Sequence, residues 1–303
     1  MPGTGPPRGS PHRTTPQRVV PTWRLETDMA TRKRIASTAS PYILNCLPSP
    51  KPEKNWTIET AVAAGLHSRK PSGPDAAAAM NVDLRAAWWK VGDQGNTGSC
   101  VGWGTAEGVL RWHFVKAGRL AQTEPLSPRY IWMSSKETDT YTTRPTSFIE
   151  SDGTWPTAAL GIAQKFGAVT DKVLPFKLGA SAQMYTGSAN AFYATASQLR
   201  IASYFNLGRD LAAWRNWLAT QGPILTRLNV DKAFMQATTT KGKLDTYDAA
   251  NPQGGHCVAL VGYVDGRFIV RNSWGTGWGD KGFAYAAEGY AQPAFTEAFG
   301  VVL

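Results

Sequence analysis

Cysteine is scarce in this chain: Cys46, Cys100 and Cys257 are the only three in 303 residues. So odd and sparse a set excludes a disulfide framework, and it fits a reducing compartment or a fold that needs no bridges. Histidine is nearly as rare, with only His12, His67, His113 and His256. Long apolar runs are missing: none approaches the ~18 residues of a membrane span, so no span is expected. Acid is missing from the start of the chain. Arg8, Arg13, Arg18 and Arg24 all precede the first acid, Glu26, and Arg32-Lys33-Arg34 follows. No apolar stretch follows these early charges, which argues against a secretory signal; a cytoplasmic or non-classically exported protein is expected. The Arg/Ser/Thr-rich start resembles a transit peptide in composition. Its prolines, Pro2, Pro6, Pro7, Pro11, Pro16 and Pro21, break the amphipathic helix such a peptide needs.

The core-forming residues are there. The hydrophobic fraction is 42% and there are 12 tryptophans. The net charge is +10, with a pI near 9.6. The basic arm carries a single aromatic, Trp23, too few to interleave with its basic residues, and no nucleic-acid motif, so it reads as a solvated tail without a specific nucleic-acid partner. Residues 1–41 read as a disordered arm. Within 42–80, "NWTIETAVAAGL" (55–66) can form a short helix and "HSRKPSGPDAAAA" (67–79) reads as a linker. The compact body is expected over 81–303, beginning near "NVDLR".

The first part of that body, about 90–192, reads helical. From Cys100, apolar residues recur at Val101, Ala106, Val109, Leu110, Phe114 and Ala117, and Gly118 is placed to end the helix. Gly102, Gly104 and Gly108 each cost about 1 kcal/mol inside a helix, which predicts close packing against its backbone. "LSPRYIWMSSKE" predicts a second helix with Ser127 as N-cap and Pro128 first, and "TWPTAALGIAQKFGAV" a third ending near Gly167. After "GRDLAAWRNWLATQGP" (208–223), a further helix, the second part, about 193–303, turns to strands: 224–230, 256–264, 267–274 and 282–287. Asp265-Gly266 between two apolar runs is a hairpin signal. The pattern is α+β in two lobes, with a cleft between them as the natural place for a site.

"VGDQGNTGSCVGWG" (91–104) puts Cys100 in a polar, glycine-rich loop at the start of a helix. A helix N-terminus and a neighbouring imidazolium both lower a thiol's pKa. His12 and His67 lie in the arm and the linker, and His113 is more than three turns along the same helix. His256 remains, at the head of a strand after Gly254-Gly255, with Asn272 on the far arm of the hairpin to orient its ring. A two-residue turn at 265–266 pairs Asn272 with Ala259, three residues from His256. A bulge must close that gap.

Three blocks, "DQGNTGSCVGW", "GGHCVALVGY" and "FIVRNSWGTGWGDKGF", resemble the papain-like cysteine peptidases, over roughly residues 81–303. The interval from Cys100 to His256 slightly exceeds the ~130–150 residues usual there, and an insertion in "GKLDTYDAANPQGG" accounts for it. The resemblance implies a helical left lobe, whose central helix starts at the nucleophile, and an antiparallel, β-barrel-like right lobe. It implies Cys100 as nucleophile, His256 as its acid–base partner, Asn272 as the orienting residue with Trp274 covering it, and Gln94 with the Cys100 N–H as the oxyanion donors. Gly153, Trp155, Pro156, Gly254, Cys257 and Trp274 are the substrate-binding candidates. Cys257 reads equally well as a buried strand residue, and Gly153 as a simple turn.

The function this resemblance implies is a cysteine-type endopeptidase acting on proteins or peptides as a monomer, without metal or other cofactor. An exopeptidase or transpeptidase on the same fold is the alternative, and a non-catalytic binding protein the weaker one. Residues 42–80 stand where the family's zymogens carry an inhibitory segment, so the chain's own N-terminal segment is an expected inhibitor. Departures are Thr97 at a usual bridge position, Val101 for an aromatic residue, and Gly255 where Asp is common.

Overall fold

Residues from Cys100 onward do form the expected helix. Cys100–Thr105 is α-helical, Ala106–Leu110 is π-helical and Arg111–Lys116 is α-helical again. Gly118, at φ +68°, ends it in the left-handed conformation. Its interior glycines face other elements at contact distance. A Cβ on Gly102 would lie 2.4 Å from the Pro128 carbonyl oxygen, one on Gly104 3.1 Å from Cys257 Sγ, and one on Gly108 3.0 Å from Ala259 Cβ. The helix pays its glycine penalty for this access: the next helix lies on one side and the sheet on the other.

In this computed structural model residues 42–65, 81–138, 152–177 and 188–303 are described, within one unit spanning Ser40–Leu303. The basic arm and the linker expected at 67–79 lie outside the described residues. The second helix is Pro128–Thr138, and the Tyr130 N–H donates to Ser127 Oγ at 3.0 Å as the N-cap reading requires. The third is Pro156–Lys165, and Gly167 turns the chain after it at φ +98°. Leu211–Thr220 follows Asp210, whose side chain caps it through the Ala212 N–H.

Eight strands among the described residues make one sheet: β1 (Val82–Asp83), β2 (Ser203–Asn206), β3 (Ile224–Val230), β4 (Lys243–Leu244), β5 (Gly254–Val264), β6 (Arg267–Arg271), β7 (Phe283–Ala287) and β8 (Phe295–Val302). The order is β2-β8-β3-β5-β6-β7-β4, with β1 added to β5. Every pairing is antiparallel except β4 with β7. This is the expected α+β fold with a mainly antiparallel second lobe.

The β5–β6 hairpin decides where the site lies. Asp265 and Gly266 have φ +50° and +75°, the pattern of a type I′ turn. Next to the turn Val264 pairs with Arg267 and Tyr263 with Phe268. Farther along, Leu260 pairs with Val270 and Ala259 with Arg271. β5 therefore carries one extra residue between these pairs, the bulge that the sequence demanded. It corrects the simple register, which set Asn272 opposite Ala259, and brings Asn272 one residue nearer to His256.

Two clusters of buried side chains form the core. One gathers the central helix, its helical neighbours and the facing side of β5, including Cys100, Phe114, Trp132, Cys257 and Ala259. The other fills the far side of the sheet around Trp214, Phe234, Phe268, Trp274 and Tyr290. Residues ahead of the body join both. Cys46 is part of the first cluster, and Ala61, in a short helix Ile58–Ala63 capped by Thr57, is part of the second.

Candidate active site

The loop before Cys100 is tied down by hydrogen bonds. The Gln94 N–H donates to the Ser273 carbonyl at 2.8 Å, and the Gly275 N–H donates to the Gly92 carbonyl at 3.0 Å. These bonds clamp the loop to the chain that carries Asn272. Gly95, at φ +57°, makes the tight turn that side chains resist. Thr97, at a usual bridge position, holds the loop differently: its hydroxyl donates to the Gln94 carbonyl at 2.8 Å and meets Ser99 Oγ at 2.6 Å. The Gln94 side chain is aimed from both ends. Its Oε1 accepts from Ser273 Oγ at 2.8 Å and its Nε2 donates to the Thr97 carbonyl at 2.8 Å. The second hydrogen of the amide nitrogen is not used by these two bonds.

Across the cleft, β5 presents His256. Its Nε2 lies 2.8 Å from Asn272 Oδ1, and the same oxygen accepts from the Ser273 N–H at 2.8 Å. With Nε2 engaged, the buried Nδ1 is left without a hydrogen-bond partner, and the imidazole lies near enough to the Cys100 thiol to pull its pKa down. Aromatic rings set the tilt of the imidazole. Trp274 lies 4.6 Å away, centroid to centroid, and Phe234 5.9 Å away edge-on. Cys100, His256 and Asn272 are all buried. The structure thus brings Gln94, Cys100, His256, Asn272 and Trp274 together from a loop, a helix and two strand ends.

What buries them is the chain itself. Residues 42–50 run through the cleft. Tyr42 stacks on Trp274, with ring centroids 3.8 Å apart and planes 2° apart. The Cys46 N–H donates to the Gly255 carbonyl at 3.1 Å, and the Leu47 N–H to the Thr154 carbonyl at 3.0 Å. Arg227 Nε donates to the Cys46 carbonyl at 3.1 Å. Ser49 anchors the far end, accepting from the Thr157 N–H at 3.2 Å and donating its own N–H to Glu297 at 2.9 Å.

This segment also sorts the substrate-binding candidates. A Cβ on Gly153 would fall 1.9 Å from the Asn45 carbonyl oxygen, and one on Gly254 2.6 Å from that of Leu44. Both glycines border the occupied cleft. Cys257 is fully buried, and Gly104 of the central helix approaches its sulfur, a Cβ there standing 3.1 Å from Sγ. Trp155 and Pro156 are buried at the start of the third helix, with Pro156 as its first residue. The backbone partner of the segment is their neighbour Thr154. Cys46, Thr154 and Arg227 were not among the expected residues. For Cys46 a signal existed, since it was the one cysteine without a reading.

The occupied cleft alters the Cys100 thiol. Its pKa stands well above the ordinary value because the Cys46 thiol abuts it and burial removes water, while the His256 imidazole pulls the other way. Burial likewise pushes Cys46 and Cys257 up. Among the described residues no cluster of three or more His, Cys, Asp or Glu side chains is arranged to hold a metal ion.

A helix-borne thiol facing a strand-borne imidazole across two lobes defines a class, and sequence comparison gives the family. The chain matches the papain family cysteine protease model over residues 78–298, and it belongs to that family. Cathepsin B-like CP2 of Giardia intestinalis is 29% identical over 207 residues, which cover 64% of this chain and 62% of the relative. Cysteine proteinase 1 of Entamoeba histolytica is 27% identical over 205 residues, covering 64% and 58%. The chain thus spans somewhat under two thirds of the length of these relatives. Among solved structures, xylellain, a cysteine protease from Xylella fastidiosa, superposes with a TM-score of 0.70 at 19% identity, covering 87% of this chain and 97% of its own. Procathepsin L 3 of the Tenebrio molitor larval midgut superposes at 0.55 and 21%, covering 78% and 72%. These two share the fold.

Proposed function

We propose that this protein is a cysteine-type endopeptidase held in a self-blocked precursor form. The observation that carries the reading is the His256 imidazole, fixed by Asn272 at 2.8 Å on Nε2 and with its buried Nδ1 unpartnered, beside the Cys100 thiol at the head of the central helix. Once the segment leaves, the Cys46 contact and the exclusion of water, which both hold the thiol protonated, go with it. His256 then takes the Cys100 proton and the thiolate attacks a peptide carbonyl. The Cys100 N–H and the free Gln94 amide hydrogen receive the oxyanion. His256 returns its proton to the leaving amine, and the resulting thioester is hydrolysed by a water that His256 activates. Asn272 keeps the ring in one orientation throughout.

Substrate binds as an extended peptide. The Gly255 and Thr154 carbonyls, engaged by residues 46 and 47, are the acceptors it uses when the cleft is open. Residues 42–65 act as the inhibitory part of a propeptide-like segment, with 66–80 as the stretch where processing cuts.

A thiol-directed epoxide peptide tests the reading. Wild type incubated at mildly acidic and neutral pH should gain the label on Cys100 as cleavage appears within residues 66–82, and Cys100→Ala should gain neither. A folded, shortened chain starting at residue 81 that stays unlabelled would sink the peptidase reading. Labelling without any cleavage would remove self-processing alone.

A further inference from the structure

The three cysteines, scattered along the sequence, meet at one point. All three lie in one buried cluster, and the chain at Cys46 is wedged between the loop before Cys100 and the strand that carries His256 and Cys257: a Cβ on Gly98 would stand 2.8 Å from Asn45 Nδ2, and the Cys46 N–H donates to the Gly255 carbonyl at 3.1 Å. All three are free and buried. Blocking a cleft does not call for a thiol at this position, since a serine or an alanine would fill it as well. The backbone aims it there: the Cys46 N–H is held by the Gly255 carbonyl and its carbonyl by Arg227, each at 3.1 Å.

We propose that Cys46 and Cys100 form a reversible thiol–disulfide site, at which a peroxide closes a covalent tether that locks residues 42–50 over the nucleophile. The inference rests on the reading of Cys100 as the nucleophile. Peroxide reaches Cys100 when the segment lifts. The Cys100 thiolate attacks one peroxide oxygen, the O–O bond breaks, and the departing hydroxide takes a proton to become water, leaving a sulfenic acid on Cys100. When the segment falls back, the Cys46 thiol loses its proton and attacks the sulfenic sulfur. The S–O bond breaks and the oxygen leaves as a second water. Two thiols lose two electrons and the peroxide takes both. An external dithiol supplies two electrons to reopen the bond by exchange.

Cys100 is the partner rather than Cys257 because His256 is there to deprotonate it. Cys257 packs against Gly104, and the charged side chains that act on it are Glu297 and Arg227, with no imidazole among them. The neighbouring Cys46 also protects the site. A sulfenic acid that meets a thiol stops at the disulfide, whereas one left alone goes on to the irreversible sulfinic acid.

The full-length protein is treated with hydrogen peroxide, digested without reduction and mapped by mass spectrometry. The expected product is a peptide pair linked through Cys46 and Cys100, together with loss of epoxide labelling, both reversed by dithiothreitol. In Cys46→Ser the same dose should carry Cys100 to the sulfinic acid, and dithiothreitol should recover at least about tenfold less labelling than in wild type. Circular dichroism establishes that the variant is folded, and the wild-type map decides the question even where it is not. A Cys46–Cys257 link, or Cys100 sulfinic acid in wild type with no link, would overturn the proposal. The link is read by mass and the peptidase by label. A linked chain that never labels after reduction removes the peptidase reading alone, and a labelled chain that never links removes the tether alone.

Discussion

The two walls of the cleft hold their reactive groups by opposite means. The Cys100 wall is built on missing side chains. Gly98 lets the Asp152 carbonyl approach to within 2.5 Å of where a Cβ would stand, and Gly102 and Gly104 admit Pro128 and Cys257 in the same way. The His256 wall is built on side chains that are present: Asn272 on Nε2, and the rings of Trp274 and Phe234 on the imidazole. One wall is therefore most sensitive to added atoms and the other to deleted ones, and substitutions can separate the two.

Deletion on the imidazole wall should have the largest effect. On the proposed peptidase reading, His256→Ala removes the proton carrier and should lower kcat/KM on a fluorogenic peptide by ~10²–10⁴. Asn272→Ala, which only frees the ring, should cost less, with its loss in kcat more than in KM. Equal losses in the two variants would show that ring orientation is not a separate contribution.

Acid should weaken the thiol wall next. His113, in the last turn of the central helix, is buried against Trp112 and Gly222, and burial lowers its pKa from 6.5 to about 4. Folded His113 stays neutral while the unfolded chain takes up a proton. Its contribution is thus intact above pH 6.5 and is lost progressively as pH falls toward 4, on the order of 3 kcal/mol in all. Urea midpoints between pH 4 and 7 should show this slope in wild type and lack it in His113→Leu.

Addition on the same wall comes third. Gly102→Val drives a branched side chain into the Pro128 backbone and should destabilise by about 1–3 kcal/mol. Thermal unfolding reads it, and an unchanged midpoint would mean that the two helices can separate without cost. The smallest effect is expected at Gly255, where a Cβ would lie 2.1 Å from the Cys46 carbonyl oxygen. Gly255→Asp should label faster with the epoxide peptide than wild type, with little change in unfolding temperature. An unchanged labelling rate would mean that the segment yields without leaving.

Much of this was legible from local pattern. Asp265-Gly266 announced the hairpin, and Ser127-Pro128 announced a helix start, because turn and cap chemistry is carried by neighbouring residues. The bulge was legible only as a necessity: without it Asn272 fell short of His256. The π-helical stretch at Ala106–Leu110 has no marker in its residues. Strand β8 was not expected. "FTEAFGVV" follows Pro293 and lacks clean alternation, and its pairing with β2 and β3 rests on residues far away in the chain. A blocking segment within 42–80 was expected from the family resemblance, but which of its residues line the cleft was hidden for the same reason. It is held mainly by backbone bonds to Gly255 and Thr154, which leave no trace in residue type. Gly255 itself was read as a departure from the family's usual Asp. In the folded chain the place of that side chain is taken by the Cys46 carbonyl.

That glycine also places the closed cleft under genetic exposure. Every glycine codon lies one base change from an alanine codon, so a single-nucleotide event is enough to set a methyl group where the Cys46 carbonyl rests. On the precursor reading, a growing population would keep generating variants that are open from synthesis. Cells harmed by unrestrained proteolysis would be lost as fast as they arose. The hydrogen on Gly255 would then be maintained by purifying selection on restraint, even though it takes no part in cutting a peptide bond.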